Sequence, residues 1–96
     1  MEVLAERFNA AAGRLVEAVA RQARTHGENV HSLAEENVDF TLSRIAHSLK
    51  GGADVSDMLK QLEQTTIVHG QHVPEADIIL SEIGGIADDY LKAIRN

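Results

Sequence analysis

Leu4, Phe8, Ala11, Leu15 and Val19 recur at steps of three and four, which is the spacing of one face of a helix. The seam continues through Gln22, His26, Val30 and Leu33, where its first two members are polar and it weakens. Gly27, within "RTHGENV", is placed to kink or break the helix, because glycine costs about 1 kcal/mol against alanine in a helix interior. A second stripe follows at Val38, Leu42, Ile45 and Leu49 and stops at "KGGAD". Paired glycines end helices, and Asp54 or Ser56 can cap the next one. Met58, Leu59 and Leu62 give that next helix a short apolar face, and "TTIV" after it is β-branched and a poor helix former. Pro74 suits the first turn of a last helix, with Glu75 and Asp77 near its positive end. That helix has the cleanest seam of all, Ile79, Ile83, Ile86, Tyr90 and Ile94, flanked by Ala76, Leu80, Ala87 and Leu91.

No strand alternation or repeat interrupts this pattern. It predicts an all-α chain, one helical domain over 1–96, with helical segments at about 2–25, 29–50, 56–68 and 75–95. The helices are expected to form a bundle or a coiled-coil-like oligomer. A chain of 96 residues buries a modest core, so self-association is a natural further source of stability, and Ile79, Ile83, Ile86 and Tyr90 are the candidate oligomer contacts.

Composition narrows the chemistry. Hydrophobic residues make up 44% of the chain, yet only Phe8, Phe40 and Tyr90 are aromatic, so the core must be aliphatic. The net charge is −6 with no basic cluster, which repels a phosphate backbone and argues against nucleic acid as a partner. Cysteine is absent, which removes thiol nucleophiles, disulfides and sulfur-ligated metals. No apolar run approaches the ~18 residues of a transmembrane helix. The start "MEVLAERFNAA" lacks the basic and apolar regions of a secretory signal, so a cytoplasmic protein is expected.

Five histidines invite two readings. His69 and His72, three apart, could offer two zinc ligands if "TIVHGQHV" were helical, which Gly70 and the β-branched run argue against, and His26 and His31 lie five apart. Zinc needs three or four converging ligands, and no metal site or cofactor is expected from these pairs. No serine or threonine sits in a recognisable nucleophile motif, and no catalytic residue is assigned. Glu35, Glu36 and Asp39 form an acidic cluster. The apolar residues around them, Leu33, Val38, Phe40, Leu42 and Ile45, spread over much of the helix. So broad an apolar surface suits burial of both stripes within one bundle, or else a partner helix or an apolar surface to be coated.

"AHSLKGGA", residues 46–53, resembles the motif of histidine phosphotransfer domains, a His followed after one residue by Leu-Lys-Gly. That resemblance implies His47 as phosphoacceptor with Lys50 and Gly51 beside it, and a response-regulator receiver domain as partner. The family carries a further glycine about where Asp57 stands, on a histidine helix that runs on, whereas "GGADVSD" reads here as a helix stop. Across more of the chain, "AEENVDFTLSRIAHSL" and "ADVSDMLKQLEQ" are similar to phasins, the helical proteins that coat bacterial polyhydroxyalkanoate granules. Ala34, Glu35, Asn37, Ala46, Leu49, Asp54, Asp57 and Gln61 carry this second resemblance, with Asp57 where glutamate is usual and Pro74 interrupting a commonly continuous helix. It implies a non-enzymatic protein that adsorbs to an apolar granule surface through Phe8, Leu15, Val19, Phe40 and Leu42. A third reading is a helical protein–protein interaction module.

Overall fold

The structure, a computed structural model, describes residues 2–27 and 33–95. Among them lie four helices and one short hairpin: α1 (Glu2–Thr25), α2 (Leu33–Lys50), α3 (Ser56–Thr65), β1 (Ile67–Val68), β2 (Gln71–His72) and α4 (Ala76–Arg95). The chain is all-α, as the periodicity predicts, and α1 and α4 run antiparallel: Arg14 pairs with Glu82 and Arg21 with Glu75.

The helix ends follow from local chemistry. Gly27 is a full stop rather than a kink. The backbone N–H groups of His26 and Gly27 donate to the carbonyls of Ala23 and Arg24, and Gly27 takes φ +81, where a Cβ would be strained. The expected start of the second helix at residue 29 falls on residues outside the described set.

At the end of α2, Gly52 N–H donates to Leu49 O and Ala53 N–H to Ser48 O, both at 3.0 Å, with Gly52 at φ +74. This is a Schellman motif with glycine at the left-handed position. Asp54 then accepts bonds from the Ser56 backbone N–H (3.0 Å) and hydroxyl (2.7 Å), which satisfies a donor at the start of α3.

The third segment is shorter than expected. Helix α3 ends at Thr65 rather than at 68, where β-branched Thr66, Ile67 and Val68 take over. Thr66 folds its hydroxyl back to Glu63 O at 2.7 Å, and the chain leaves as an antiparallel hairpin pairing Ile67 with His72 and Val68 with Gln71. His69 and Gly70 at its tip both have positive φ, 52 and 75, the geometry of a two-residue type I′ turn. Strands of two residues are too short to show alternation in a sequence. Pro74 lies in the turn just before α4, and Ala76 N–H donates to Val73 O.

Helix α1 sits at the centre, packed against both α2 and α4, while α3 closes over α2 and more lightly over α4. Its buried residues, Phe8, Ala11, Leu15, Ala18, Val19, Ala20 and Ala23, include the predicted seam from Phe8 to Val19. From α2 come Val38, Leu42, Ile45 and Leu49; from α4 come Ala76, Ile79, Ile83, Ile86, Ala87 and Leu91. Each large aliphatic side chain fully buried here stabilises the fold by about 1.5–3 kcal/mol relative to exposure. With Phe8 the only buried aromatic residue among the described residues, aliphatic packing carries this core.

Candidate functional site

His47 lies in the last turn of α2 and is exposed, with Lys50, also exposed, as the last helical residue and Gly51 directly after it. The helix stops there because Gly52 adopts the left-handed conformation and the Ser48 and Leu49 carbonyls are taken by the loop. A phosphorylated imidazole at this position would therefore have Lys50 one turn away and no continuing helix beyond it. Lys50 instead borders a small pocket of ≈ 150 Å³ lined by Ala5, Phe8, Asn9, Ala46, Leu49 and Tyr90, of which His47 is not part.

Of the five apolar residues expected to meet a granule, four are inside. Phe8, Leu15, Val19 and Leu42 are buried between the helices, and only Phe40, 65% exposed, stands outside. The expected oligomer contacts are placed similarly. Ile79, Ile83 and Ile86 are buried against the rest of the chain, Tyr90 is half-buried, and Ile94 at the end of the seam is exposed. In the closed bundle these isoleucines pack within their own chain.

The exposed apolar surface is a different set. Leu33 and Phe40, seven residues and two turns apart, share the outer face of α2 and are 67% and 65% exposed. Arg44 places its guanidinium over the Phe40 ring at 5.9 Å and reaches Gln61 on α3 at 3.2 Å. Ile67, 46% exposed on β1, shares with Leu33 a notch that also includes Ala34, Asn37, Thr65 and Val68. The seven-residue spacing of Leu33 and Phe40 was visible in the sequence; the approach of Ile67 was not, because it depends on the hairpin.

A second concavity runs between α1 and α4, an open groove of ≈ 620 Å³ lined by Ala10, Gly13, Arg14, Glu17 and Arg21 on one side and Ile78 and Ile79, with Glu75 just before α4, on the other. Here too the spacing was present in the sequence, Glu75, Ile78 and Glu82 following one helical face, but the pairing of α1 with α4 was needed to reveal it.

His26, just after the end of α1, meets His69 of the hairpin turn, while His47 stands apart at the end of α2. His26 and His69 stack with ring centroids 4.4 Å apart, and His72 Nε2 lies 2.6 Å from Asp77 Oδ1. His31 lies outside the described residues. Among the described residues no three His, Cys, Asp or Glu side chains come together as a metal-holding group. No helix among them is long and apolar enough to cross a membrane.

Comparison with family models, with curated protein sequences and with solved structures returned no match.

Proposed function

We propose that this chain is a non-enzymatic helical binding protein whose contact face is the patch formed by Leu33, Phe40 and Ile67, and that its partner is an apolar surface of the polymer-granule kind implied by the phasin resemblance. The observation that carries the reading is the placement of two large apolar side chains, each about two-thirds exposed, on one face of α2 beside a third on β1. Water-exposed apolar side chains clustered in this way gain free energy, about 25 cal/mol per Å², when an apolar partner covers them. The closed bundle meets a granule first with this patch. Phe8, Leu15, Val19 and Leu42 join the contact only if α2 swings away from α1.

The test is co-sedimentation with purified polyhydroxybutyrate granules at low and high salt, using Phe40→Asp and Leu33→Asp, whose side chains are outside the core. Wild type is expected to sediment with granules at both salt concentrations, since screening leaves the hydrophobic contribution intact, and the variants are expected to stay in solution with unchanged helicity. Wild-type binding that is absent, that disappears in high salt, or that both variants retain would overturn the reading. A separate incubation with a phosphorylated receiver domain addresses His47: acid-labile phosphohistidine that disappears in His47→Gln would put phosphoryl relay in place of adsorption.

A further inference from the structure

We infer that a second copy of this chain packs on the groove between α1 and α4, related to the first by a two-fold axis running along the groove, parallel to the helices. The inference stands on a different face from the granule patch and does not depend on it.

The groove is crossed at two levels by ion pairs, Arg14–Glu82 and Arg21–Glu75. On each side of the groove the two charged residues are seven positions apart, or about 10.5 Å along a helix axis. Ile78 stands between Glu75 and Glu82 and is 76% exposed, more than any other large apolar side chain among the described residues. At the same level on α1, Glu17 is engaged by Arg24 at 3.6 Å. Gly13 lies nearby, and a Cβ built there meets nothing within 4 Å, so another chain could approach the α1 backbone closely at that point.

The charge pattern selects the symmetry. Both cross-groove cations belong to α1, and both acids to the α4 side. A two-fold axis along the groove lays α1 of one copy over α4 of the other without changing level. Arg14 then faces Glu82 and Arg21 faces Glu75 of the opposite copy, and each ion pair becomes part of a four-charge ring. The two Ile78 side chains meet near the axis, so each covers the other. An axis across the groove would instead oppose α1 to α1, with Arg14 against Arg21, and α4 to α4, with Glu75 against Glu82. Like charges oppose each other throughout that second arrangement, which excludes it. The surface is thus complementary to itself in one orientation, which is the requirement for an isologous dimer.

Sedimentation equilibrium on the whole chain tests this directly. Wild type is expected to reach twice the monomer mass as concentration rises, and Ile78→Asp, a change at an exposed position, is expected to remain monomeric with unchanged helicity. The double variants Arg14→Glu, Arg21→Glu and Glu75→Arg, Glu82→Arg should each be monomeric alone and form a dimer when mixed. Should a charge variant fail to fold, Ile78→Cys decides: the chain has no cysteine of its own, so diamide should link copies through this residue alone, whereas Ser43→Cys should stay unlinked. A wild type that is monomeric up to its solubility limit, a dimer that survives Ile78→Asp, charge variants that ignore each other on mixing, or Ile78→Cys that links no better than Ser43→Cys would each overturn the proposal.

Discussion

The backbone N–H of Ala53 donates to the carbonyl of Ser48 at 3.0 Å, and this bond closes the end of the helix that carries His47. The closure requires Gly52 at φ +74, with open contact toward Ile94 Cγ2 at 3.6 Å from where a Cβ would stand. Gly52→Ala is therefore expected to destabilise the fold by about 1 kcal/mol, through the left-handed backbone rather than through a clash. Gly51→Ala is expected to be nearly neutral, since the neighbouring glycine has no such φ and its Cβ would only touch Ser48 O at 3.6 Å. Urea unfolding of the two variants side by side checks the contrast.

Gly13 makes the opposite case. It is in the interior of α1 with no positive φ, and a methyl group there meets nothing within 4 Å. Gly13→Ala is expected to stabilise the monomer by about 0.5–1 kcal/mol, by helix propensity and reduced unfolded-state freedom. A melting temperature measured at low protein concentration that fails to rise would contradict this.

Exposed and buried apolar residues should separate cleanly in stability. Leu15→Ala removes a fully buried side chain between α1 and its neighbours and is expected to cost about 2–5 kcal/mol. Phe40→Ala removes an exposed ring and its contact with Arg44, and is expected to cost no more than about 1 kcal/mol. Denaturant midpoints provide the comparison, and a Phe40 variant as unstable as the Leu15 variant would mean that α2 is packed differently.

Two ionisable groups give a pH dependence of known sign. Hydrogen bonds from the Ser56 hydroxyl and backbone N–H hold the Asp54 carboxyl below its ordinary value. Its folded value being the lower one, its stabilising contribution is present above the unfolded value of about 3.9 and is lost as pH falls through the folded one. Asp54→Asn keeps an acceptor but no acid, so wild type should be the more stable at neutral pH and the difference should shrink in acid below about pH 4. For Lys92, the hydrogen bond and charge of Asp88 raise the value. Its contribution is present below the unfolded value of about 10.4 and is lost as pH rises through the folded one. Stability curves of Asp54→Asn and Lys92→Gln against wild type, at acid and alkaline pH respectively, read out the two effects.

Where a helix buries a single stripe, the sequence and the structure agree: Phe8 to Val19, Val38 to Leu49, and Ile79 to Ile86 all face inward. What the pattern hid lies just off each stripe. Phe40 sits two residues beyond Val38, about 200° around the helix, so the same segment that sends Val38 and Leu42 into the core sends Phe40 out. Ile78 precedes Ile79 by one residue, about 100° of rotation, and falls on the rim of the groove. An apolar residue type does not say which side it faces; the neighbours that complete the stripe do. The end of α3 was half legible. "TTIV" signalled a weak helix, but a hairpin of two-residue strands depends on Val68 meeting Gln71 and on the turn at His69 and Gly70, and has no periodicity of its own. The contacts beside the His47 helix end were legible because glycine pairs have a local conformational meaning.

The central position of α1 also bears on the order in which the parts assemble. One of its partners, α2, follows it in the chain, whereas the other, α4, is joined to it only through everything in between: the ion pairs of α1 with the α4 side span 68 and 54 residues. Closing so large a loop delays the reward until most of the chain is organised, so an α1–α2 hairpin is the natural early species and α4 docks onto its remaining apolar face. Until then Leu15, Val19 and their neighbours on α1 are only half covered, and the lifetime of the finished bundle is set by how firmly Ile79, Ile83 and Ile86 hold that last contact. Weakening these isoleucines should speed unfolding far more than it slows folding.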